Sequence, residues 1–276
     1  MKIYAPAKVN LALDIVGQDE RGYHLLDMIM VPISVYDELE ISYSDADSIL
    51  CKEMKIPEVN TMSRMVKLLK ETFSIEKSFK IEVVKHIPME AGLAGGSADA
   101  AAVMKAILEM EHISIPIERQ IELAKQIGAD VPFCLVNRWS RVQGIGEIIR
   151  PLDCEWKFKA LLVKPAVGIS TPVAFKKWHE MEPLKVNVDV VEDCILKKDP
   201  ISLFQSMENT LEPVARTMEP ILEEIKEMMT ENGIERVLMS GSGSSMIGFS
   251  IDEDILIETK NIMEKKYPFV EIITIG

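Results

Sequence analysis

The first half of the chain is dominated by apolar residues that recur at every second position. Residues 8–15 carry apolar side chains at each odd-numbered position, which predicts a half-buried strand. The same period returns at 39–43 and 79–83, whereas residues 61–73 show helical spacing. An alanine-rich helix is predicted directly after Gly96. This order predicts a mixed α+β half rather than a regular βαβα series.

The second half has a different succession of elements. The pattern predicts, in order, a strand at 158–163, a helical stripe at 214–229, strands at 234–239 and 247–249, a helix at 253–266 and a strand at 269–275. The stripe is expected to end at Asn232-Gly233, a sequence typical of a helix C-cap. The order β-α-β-β-α-β predicts a ferredoxin-like unit. Because Pro151 interrupts the pattern, we expect domains at 1–152 and 153–276.

Composition limits the classes of partner. The chain has 276 residues, more than a typical single domain, and 47% of them are hydrophobic, so two cores are available. Its formal net charge of -13 argues against binding to nucleic acid or anionic lipid, because both need clustered Lys and Arg. A small phosphorylated ligand remains compatible, since a few placed cations and backbone amides can bind it locally.

Cysteine spacing and hydropathy bear on the cellular location of the protein. The four cysteines show no spacing typical of a zinc site, and we expect free buried thiols. The N-terminal residues lack the apolar run of a signal peptide, and no stretch approaches the roughly 20 apolar residues of a membrane span. We therefore expect a cytoplasmic protein without a membrane partner, either a monomer or a homodimer.

The glycine-rich segment 92–99 is the most informative stretch. Glycines let several backbone N–H groups approach a phosphate, and the following helix adds a positive N-terminus, so this segment predicts an anion-binding site. Ser97 either caps that helix or turns its hydroxyl to a phosphate oxygen or Mg²⁺. No lysine lies between Lys85 and Lys105, which excludes a Walker A loop, and the dinucleotide fingerprint GxGxxG is absent as well.

Seven short strings share a common resemblance. They are APAKVNL at 5–11, GYH at 22–24, IPMEAGLAGGS at 87–97, GADVPF at 128–133, GIGE at 144–147, TPVAF at 171–175 and SGSGSS at 240–245. In this order they resemble GHMP kinases along almost the whole chain, specifically the branch that phosphorylates 4-diphosphocytidyl-2-C-methyl-D-erythritol. The resemblance implies a two-domain α+β fold, with a ribosomal protein S5 domain 2-like N-terminal domain and a ferredoxin-like C-terminal domain. It also implies ATP and Mg²⁺ as cofactors in non-mevalonate isoprenoid biosynthesis.

The same resemblance implies the catalytic residues. Asp130 matches the aspartate of GADVPF and is expected to take the proton of the substrate hydroxyl. Lys8 is expected beside it, where an ammonium keeps the carboxylate ionised. From the residues alone, Asp130 could equally be a structural turn aspartate and Lys8 a surface lysine.

Two sets of binding residues follow from the resemblance. The ATP-binding set is Asn60, Lys85, Pro88, Glu90, Ala91, Gly92, Leu93, Ala94, Gly95, Gly96, Ser97 and Ala98, with Ser97 as a possible metal ligand. The substrate-binding set is Asn10, Tyr23, His24, Asp130, Thr171, Phe175, Gly241 and Ser242. Asn60 and Lys85 could instead be solvated surface residues, and the turn at 240–245 a flexible hairpin loop.

Departures from the family pattern leave two alternatives open. Arg138 and Trp139 stand where the family carries a small, glycine-containing stretch, and Ala94 replaces a glycine. No acidic Mg²⁺ ligand is evident. The chain could therefore act on another alcohol, or bind a nucleotide for regulation without catalysis.

Overall fold

The computed structural model describes residues 1–182 and 184–276. In the first half of the chain the elements are β1 (Lys2–Gln18), β2 (His24–Ser44), β3 (Ser48–Cys51), α1 (Thr61–Phe73), β4 (Ser78–Val84), α2 (Gly95–Met110), α3 (Ile117–Ala124), α4 (Val131–Val136), β5 (Ser140–Gly144) and β6 (Ile148–Pro151). In the second half they are β7 (Phe158–Lys164), α5 (Thr171–Trp178), α6 (Val188–Lys197), α7 (Pro200–Ser206), α8 (Glu212–Met218), α9 (Ile221–Glu231), β8 (Arg236–Met239), β9 (Met246–Phe249), α10 (Glu253–Met263) and β10 (Phe269–Ile275).

These elements form two compact units that do not follow one another along the chain. Unit 1 comprises Met1–Ala7, Val35–Ile87 and Ala94–Asn137. Unit 2 comprises the remaining described residues, from Lys8–Ser34, Pro88–Leu93 and Arg138–Gly276. The long strands β1 and β2 each contribute residues to both units, so the units are not separated at one position along the sequence. The predicted division at residue 152 stays a prediction.

Unit 1 is built on an antiparallel pairing between the second half of β2 and β4, with Ile41 opposite Ile81. Strand β3 adds to β4 in parallel. The alternation in β4 is as predicted, since Phe79, Ile81 and Val83 are buried. Helix α1 begins at the predicted residue because Asn60 and Ser63 form a reciprocal capping box at its N-terminus.

Unit 2 confirms the ferredoxin-like expectation. Its sheet runs β10-β7-β9-β8, and each neighbouring pair is antiparallel. This is the strand order of the ferredoxin-like unit that the β-α-β-β-α-β sequence predicts. The first half of β2 pairs with β5, and β5 pairs in turn with β6. Among the described residues, no helix has the length and apolar composition that crossing a lipid bilayer demands.

Two helix predictions need correction. The stripe at 214–229 is not one helix: α8 ends at Met218 and α9 begins at Ile221. Pro220 lacks a backbone N–H and disfavours helical geometry at Glu219, whose φ of -131° is extended. The second is a helix that the sequence predicts over 121–127, ending at Gly128; the observed α3 spans Ile117–Ala124 and ends three residues before Ile127.

The aromatic departure at Trp139 belongs to the core. Trp139 is buried and lies nearly parallel to Trp156, with ring centroids 6.5 Å apart. Phe158 contacts both indole rings. The bulk of Trp139, one of the departures from the family pattern, therefore packs inside unit 2 as part of an aromatic cluster.

The core of unit 2 supplies a direct test of packing. Phe249 is fully buried and contacts the rings of Phe158 and Phe204. Replacing it, as Phe249→Ala, is expected to lower the free energy of unfolding by about 3–5 kcal/mol, because the lost contacts leave a cavity. Ile251→Ala, at a position 60% exposed, is the matched control and should change stability by less than about 0.5 kcal/mol. Urea unfolding measures both, and equal midpoints would contradict the packing described.

Candidate active site

The first part of the glycine-rich segment lies in unit 2 and approaches the backbone of the second glycine turn. The carbonyl oxygen of Gly92 accepts hydrogen bonds from Lys8 Nζ at 3.0 Å and Ser240 Oγ at 3.0 Å. A Cβ at Gly92 would lie 2.0 Å from the carbonyl oxygen of Ser240. Gly92 also has a φ of +72°, so the position requires glycine for both space and conformation.

The turn at 240–245 is part of this cluster rather than a solvated hairpin. Its serines are buried, and the N–H of Ser245 donates to the carbonyl oxygen of Ala91 at 3.2 Å. Asn209 holds the turn by donating to the carbonyls of Met239 and Gly241, each at 2.8 Å. The hydroxyls of Thr171 and Ser242 lie 2.7 Å apart. Two predicted substrate residues are thereby brought together.

Lys8 is a buried residue and not a surface lysine. Lys8 is 4% exposed, and its Nζ donates to Asn10 Oδ1 at 2.7 Å. The backbone N–H of Asn10 points to Ser240 Oγ at 3.4 Å, and a Cβ on Gly241 would lie 3.3 Å from Lys8 Nζ. A buried ammonium requires such acceptors. Lys8 therefore links β1 to both glycine turns of unit 2.

The second part of the segment forms the N-terminus of α2 in unit 1. Ala94 precedes the helix in the left-handed conformation, with φ of 59°, and provides no side-chain cap. The N–H groups of Ser97 and Ala98 both donate to the carbonyl oxygen of Ala94. Among the described residues, the N–H groups of Gly95 and Gly96 have no hydrogen-bond acceptor. An exposed pair of donors at a helix N-terminus is suited to an anion.

Ser97 is not the helix cap that the sequence left as one alternative. It is the third residue of α2, and its hydroxyl makes no hydrogen bond within the described part of the chain. A Cβ on Gly128 would lie 3.8 Å from Ser97 Oγ. The hydroxyl therefore faces the turn that leads to Asp130.

A buried ionic cluster connects the two ends of the loop between β4 and α2. Asp37 Oδ1 accepts from the N–H groups of His86 at 2.6 Å and Ile87 at 2.8 Å. Its other oxygen pairs with Lys85, which also donates to Asp99 Oδ2 at 2.7 Å. One oxygen of Asp99 has no hydrogen-bond partner in the described structure. The cluster thus clamps strand β2, the end of β4 and the N-terminal part of α2 together.

The pKa values in this cluster are shifted. Burial raises the pKa of Asp99 to about 7, because desolvation of the carboxyl outweighs the attraction of Lys85 and Asp37 adds repulsion. Burial works against the charge of Lys85, yet the Asp99 and Asp37 carboxylates hold its pKa above the ordinary value. Lys85 was predicted to contact ATP, and in this structure its ammonium is engaged by two carboxylates.

Asp130 lies at the cap position of α4 in unit 1, with φ of -86°. The turn before it is held from α1, because Arg64 donates to the carbonyls of Gln126 at 2.8 Å and Ile127 at 3.0 Å. Pro132 in the first turn of α4 adds rigidity after it. In unit 1, Asp130 therefore follows a fixed turn whose Gly128 faces Ser97 at the N-terminus of α2.

Aromatic and imidazole rings meet at the start of β2. The His24 and Phe175 rings lie with centroids 4.6 Å apart and planes tilted by 32°. Tyr23 is 56% exposed, and the Arg21 guanidinium lies 5.2 Å from its ring centroid. Burial, and then the neighbouring His179, lower the pKa of His24. The structure thus brings two of the three predicted base-binding rings into contact and leaves the third facing solvent.

Asn60 has a structural role at α1. Its side-chain oxygen accepts from the N–H of Ser63 at 3.0 Å, while its amide donates to the carbonyl of Pro57 at 2.8 Å. Asn60 also lines a cavity of about 640 Å³ in unit 1, together with Ile49 and Phe79. Its predicted contact with ATP stays a prediction, as do the roles of Pro88, Glu90 and Leu93.

Sequence reasoning missed four residues of these clusters. Asp37, Arg64, Asp99 and His179 each contact a predicted residue or the turn that carries one. A signal existed for Asp99, because it is an acidic residue among alanines near the start of α2. Asp37 gave a weaker one, as a charged residue in a strand whose neighbours on the same face, Val35 and Leu39, are apolar.

Comparison with known proteins identifies relatives along the whole chain. Residues 60–138 match the family model of the GHMP kinases N terminal domain, and residues 191–268 match that of the GHMP kinases C terminal domain. A 4-diphosphocytidyl-2-C-methyl-D-erythritol kinase of Thermoanaerobacter pseudethanolicus is 35% identical over 98% of this chain and 94% of its own length. The enzyme of that name from Clostridium kluyveri is 37% identical, with 91% of each chain covered.

Solved structures give the same result for the fold. A crystal structure of 4-(cytidine 5'-diphospho)-2C-methyl-D-erythritol kinase superposes with a TM-score of 0.84 at 28% identity, covering 100% of this chain and 99% of its own. Homoserine kinase from Cytophaga hutchinsonii superposes with a TM-score of 0.77 at 19% identity, covering 100% of this chain and 94% of its own. The second likeness shows the shared fold alone.

The close approach at Gly92 predicts a stability difference between two glycines with similar φ. Gly22 has a φ of +85° and open space around a Cβ, so Gly22→Ala should cost only about 1–2 kcal/mol of conformational strain. Gly92→Ala carries the same strain plus about 1–3 kcal/mol of overpacking against Ser240. Urea unfolding of the two variants measures the difference, and similar midpoints would contradict the contact.

The buried cluster predicts a strong dependence on Asp37. Removing its charge, as Asp37→Asn, leaves Lys85 with one carboxylate in a buried setting and should lower the free energy of unfolding by about 3 kcal/mol. The control is Glu71→Gln, which breaks an exposed pair with Lys67 and should cost less than about 0.5 kcal/mol. Thermal unfolding at constant pH compares them; an equal effect would rule out a clamp at Asp37.

Proposed function

The chain belongs to the GHMP kinase family, and we propose that it transfers the γ-phosphoryl group of ATP to the 2-hydroxyl of 4-diphosphocytidyl-2-C-methyl-D-erythritol. The relatives that bear this name extend over 91–98% of the chain at 35–37% identity. The observation that carries the proposal within the structure is the arrangement in unit 1. There, a helix N-terminus with two open N–H donors lies beside the turn that ends at Asp130. An anion site next to a carboxylate is what phosphoryl transfer to an alcohol requires.

ATP binding rests on the glycine-rich segment in this proposal. The N–H groups of Gly95 and Gly96 and the partial positive charge of α2 attract the phosphates. The left-handed Ala94 aims the chain into the helix, and the Asp37–Lys85–Asp99 cluster fixes the loop on both sides. A fixed cradle lowers the barrier because its dipoles need no rearrangement as charge develops.

Asp130 is the proposed general base. Its carboxylate accepts the proton of the substrate hydroxyl as that oxygen bonds to the γ-phosphorus, and the bond from phosphorus to the bridging oxygen of ADP breaks. Positioning is its second contribution, because Arg64 and Pro132 limit the movement of the turn. Lys8 is the proposed cation that orients the reacting groups, supported by its burial and by its hydrogen bonds to Asn10 and Gly92.

Mg²⁺ fits the residues present. This ion keeps several waters and is usually bound through substrate phosphates and one or two protein oxygens. The Ser97 hydroxyl, which has no hydrogen bond within the described residues and lies in the first turn of α2, is suited to that role. When bound, Mg²⁺ would neutralise charge on the phosphates. The described residues contain no group of three His, Cys, Asp or Glu side chains suited to a metal ion.

Recognition of the cytidylyl group is assigned to unit 2. His24 and Phe175, which are in contact, and the exposed Tyr23 would provide the stacking surface and the polar edge for the base. The remainder of the substrate would be contacted by Asn10, Thr171, Gly241 and Ser242. The hydroxyls of Thr171 and Ser242 lie close together, and the Lys8 ammonium donates to both Asn10 and Gly92. A cytoplasmic location follows for an enzyme that uses ATP and a nucleotide-linked metabolite.

The function predicts a selective loss in one variant. The purified protein with Mg²⁺ and ATP should form ADP with 4-diphosphocytidyl-2-C-methyl-D-erythritol and not with mevalonate or homoserine. Asp130→Asn should lower kcat by about a hundredfold to ten-thousandfold, because the base is lost while the shape is kept. A coupled assay for ADP measures both.

The exposed Asp153→Asn is the matched control and should retain activity. The double variant of Lys8→Met with Asp130→Asn should lose less than the product of the single losses if both act on one proton transfer. Turnover with mevalonate or homoserine alone would assign the kinase to another alcohol. Nucleotide binding with no turnover of any alcohol would assign the chain to regulation.

A further inference from the structure

Three polar side chains of unit 2 converge where the turn between β1 and β2 meets the end of α5. Nε2 of His24 lies 2.8 Å from Nε2 of His179, and the ring centroids are 4.9 Å apart. The Gln18 side-chain nitrogen lies 3.2 Å from His179 Nε2 and 3.4 Å from His24 Nε2. Gln18 ends β1, His24 begins β2 and His179 directly follows α5.

Hydrogen bonds among these three groups do not satisfy all of them. A neutral imidazole accepts through a single lone pair on one ring nitrogen. Whichever ring donates, that lone pair is used by the other ring, and the Gln18 N–H group is left without an acceptor between them. Turning the Gln18 amide over exchanges its nitrogen and oxygen at almost no change in shape. With both rings protonated at Nδ1, two ring lone pairs and an amide oxygen then face one point, an arrangement suited to a cation.

The distances between the three atoms match the donor set of one transition-metal ion. Two donors about 2.0 Å from an ion and at a right angle to each other are about 2.8 Å apart. The two Nε2 atoms have this separation, whereas a tetrahedral ion would place them about 3.3 Å apart. The amide lies only slightly farther from each ring. Imidazole nitrogens and an oxygen near right angles are typical of tetragonal Cu²⁺ or Ni²⁺.

The turn that carries two of the donors is fixed by its own hydrogen bonds. Asp19 Oδ1 accepts from the N–H groups of Arg21 at 2.9 Å and Tyr23 at 2.8 Å. The N–H group of Asp19 donates in turn to the carbonyl of Tyr23 at 2.8 Å. Gln18 and His24 directly flank this closed turn. Donors that are held in place before binding lose less entropy when an ion arrives.

The third donor is held from the other side. Trp178 Nε1 donates to Thr210 Oγ1 at 2.9 Å, which anchors the residue before His179. The His24 ring packs against Phe175 of the same helix, with centroids 4.6 Å apart. The end of α5 and the start of β2 are therefore joined by contacts that do not involve the converging nitrogens.

We propose that Gln18, His24 and His179 form a binding site for a divalent transition-metal ion of the Cu²⁺ or Ni²⁺ class. It differs from the proposed Mg²⁺ site, because Mg²⁺ prefers oxygen ligands. The described residues hold no group of three His, Cys, Asp or Glu side chains for a metal, and here the third donor is an amide. A bound ion would hold His24 against His179 and withdraw it from the predicted substrate-binding set. Only this last consequence rests on the proposed function.

Calorimetric titration of the metal-free chain with NiCl₂ tests the site. The original chain should bind one Ni²⁺ ion. His179→Phe keeps a ring at the end of α5 and removes both nitrogens; because His179 is exposed, the core is unchanged. Loss of an outer-shell partner weakens metal binding by about 10-fold to 100-fold, so loss of this ligand should weaken it by at least about tenfold. Gln18→Glu, which places a charged oxygen at the third position, should tighten binding.

His112→Asn is the matched control. It removes another exposed imidazole, and asparagine suits the left-handed φ of 54° at this position. It should bind Ni²⁺ as the original chain does. Equal affinity of the original chain and His179→Phe would overturn the inference. A loss in His112→Asn as large as that in His179→Phe would also overturn it, since binding would then depend on any surface histidine.

The consequence for the substrate is measured separately. In the ADP assay with excess Mg²⁺, Ni²⁺ should raise KM for the cytidylyl substrate in the original chain and not in His179→Phe. An unchanged KM at a saturating Ni²⁺ concentration would contradict the withdrawal of His24. Absence of turnover in the original chain would contradict the proposed function alone, because the titration without substrate decides on the metal site by itself.

Discussion

The close approach of two glycine turns in unit 2 constrains everything around it. The carbonyl oxygen of Ser240 lies so close to Gly92 that a Cβ there would be 2.0 Å from it. The carbonyl oxygen of Gly92 in turn accepts from two donors, the Lys8 ammonium and the Ser240 hydroxyl. A lysine can be buried there because these carbonyl and amide oxygens replace its water. The packing of the two turns therefore requires small residues, as does access for a ligand.

Unit 1 solves a related problem with charge. An anion-binding helix N-terminus needs a backbone that does not move, and α2 begins with two glycines, Gly95 and Gly96, that favour movement. The Asp37–Lys85–Asp99 cluster compensates by joining three elements through one buried ammonium. Arg64 fixes the turn before Asp130 in a similar way, because its guanidinium donates to the carbonyls of Gln126 and Ile127. In each case a long polar side chain fixes a backbone that has little rigidity of its own.

The sequence predicted well what depends on local pattern. The strands of the ferredoxin-like unit and the bounds of α1 follow from periodicity and from a cap at Asn60. Pro220 shows the limit of that pattern, because an apolar stripe continues through a break in the helix. The partners of polar residues were not predictable, since Asp37 and Lys85 lie 48 positions apart and meet only when β2 and β4 are paired. His179 escaped notice for the same reason, as its partner His24 is 155 positions away.

The central claim is that this chain places a phosphate on one hydroxyl of a cytidylyl substrate. The most direct measurement is the phosphorus NMR spectrum of a reaction with ATP, Mg²⁺ and 4-diphosphocytidyl-2-C-methyl-D-erythritol. The account predicts one new phosphomonoester signal that grows in equal amount with ADP, while the diphosphate of the substrate remains intact. ADP accompanied only by inorganic phosphate, or a spectrum that does not change, would contradict it.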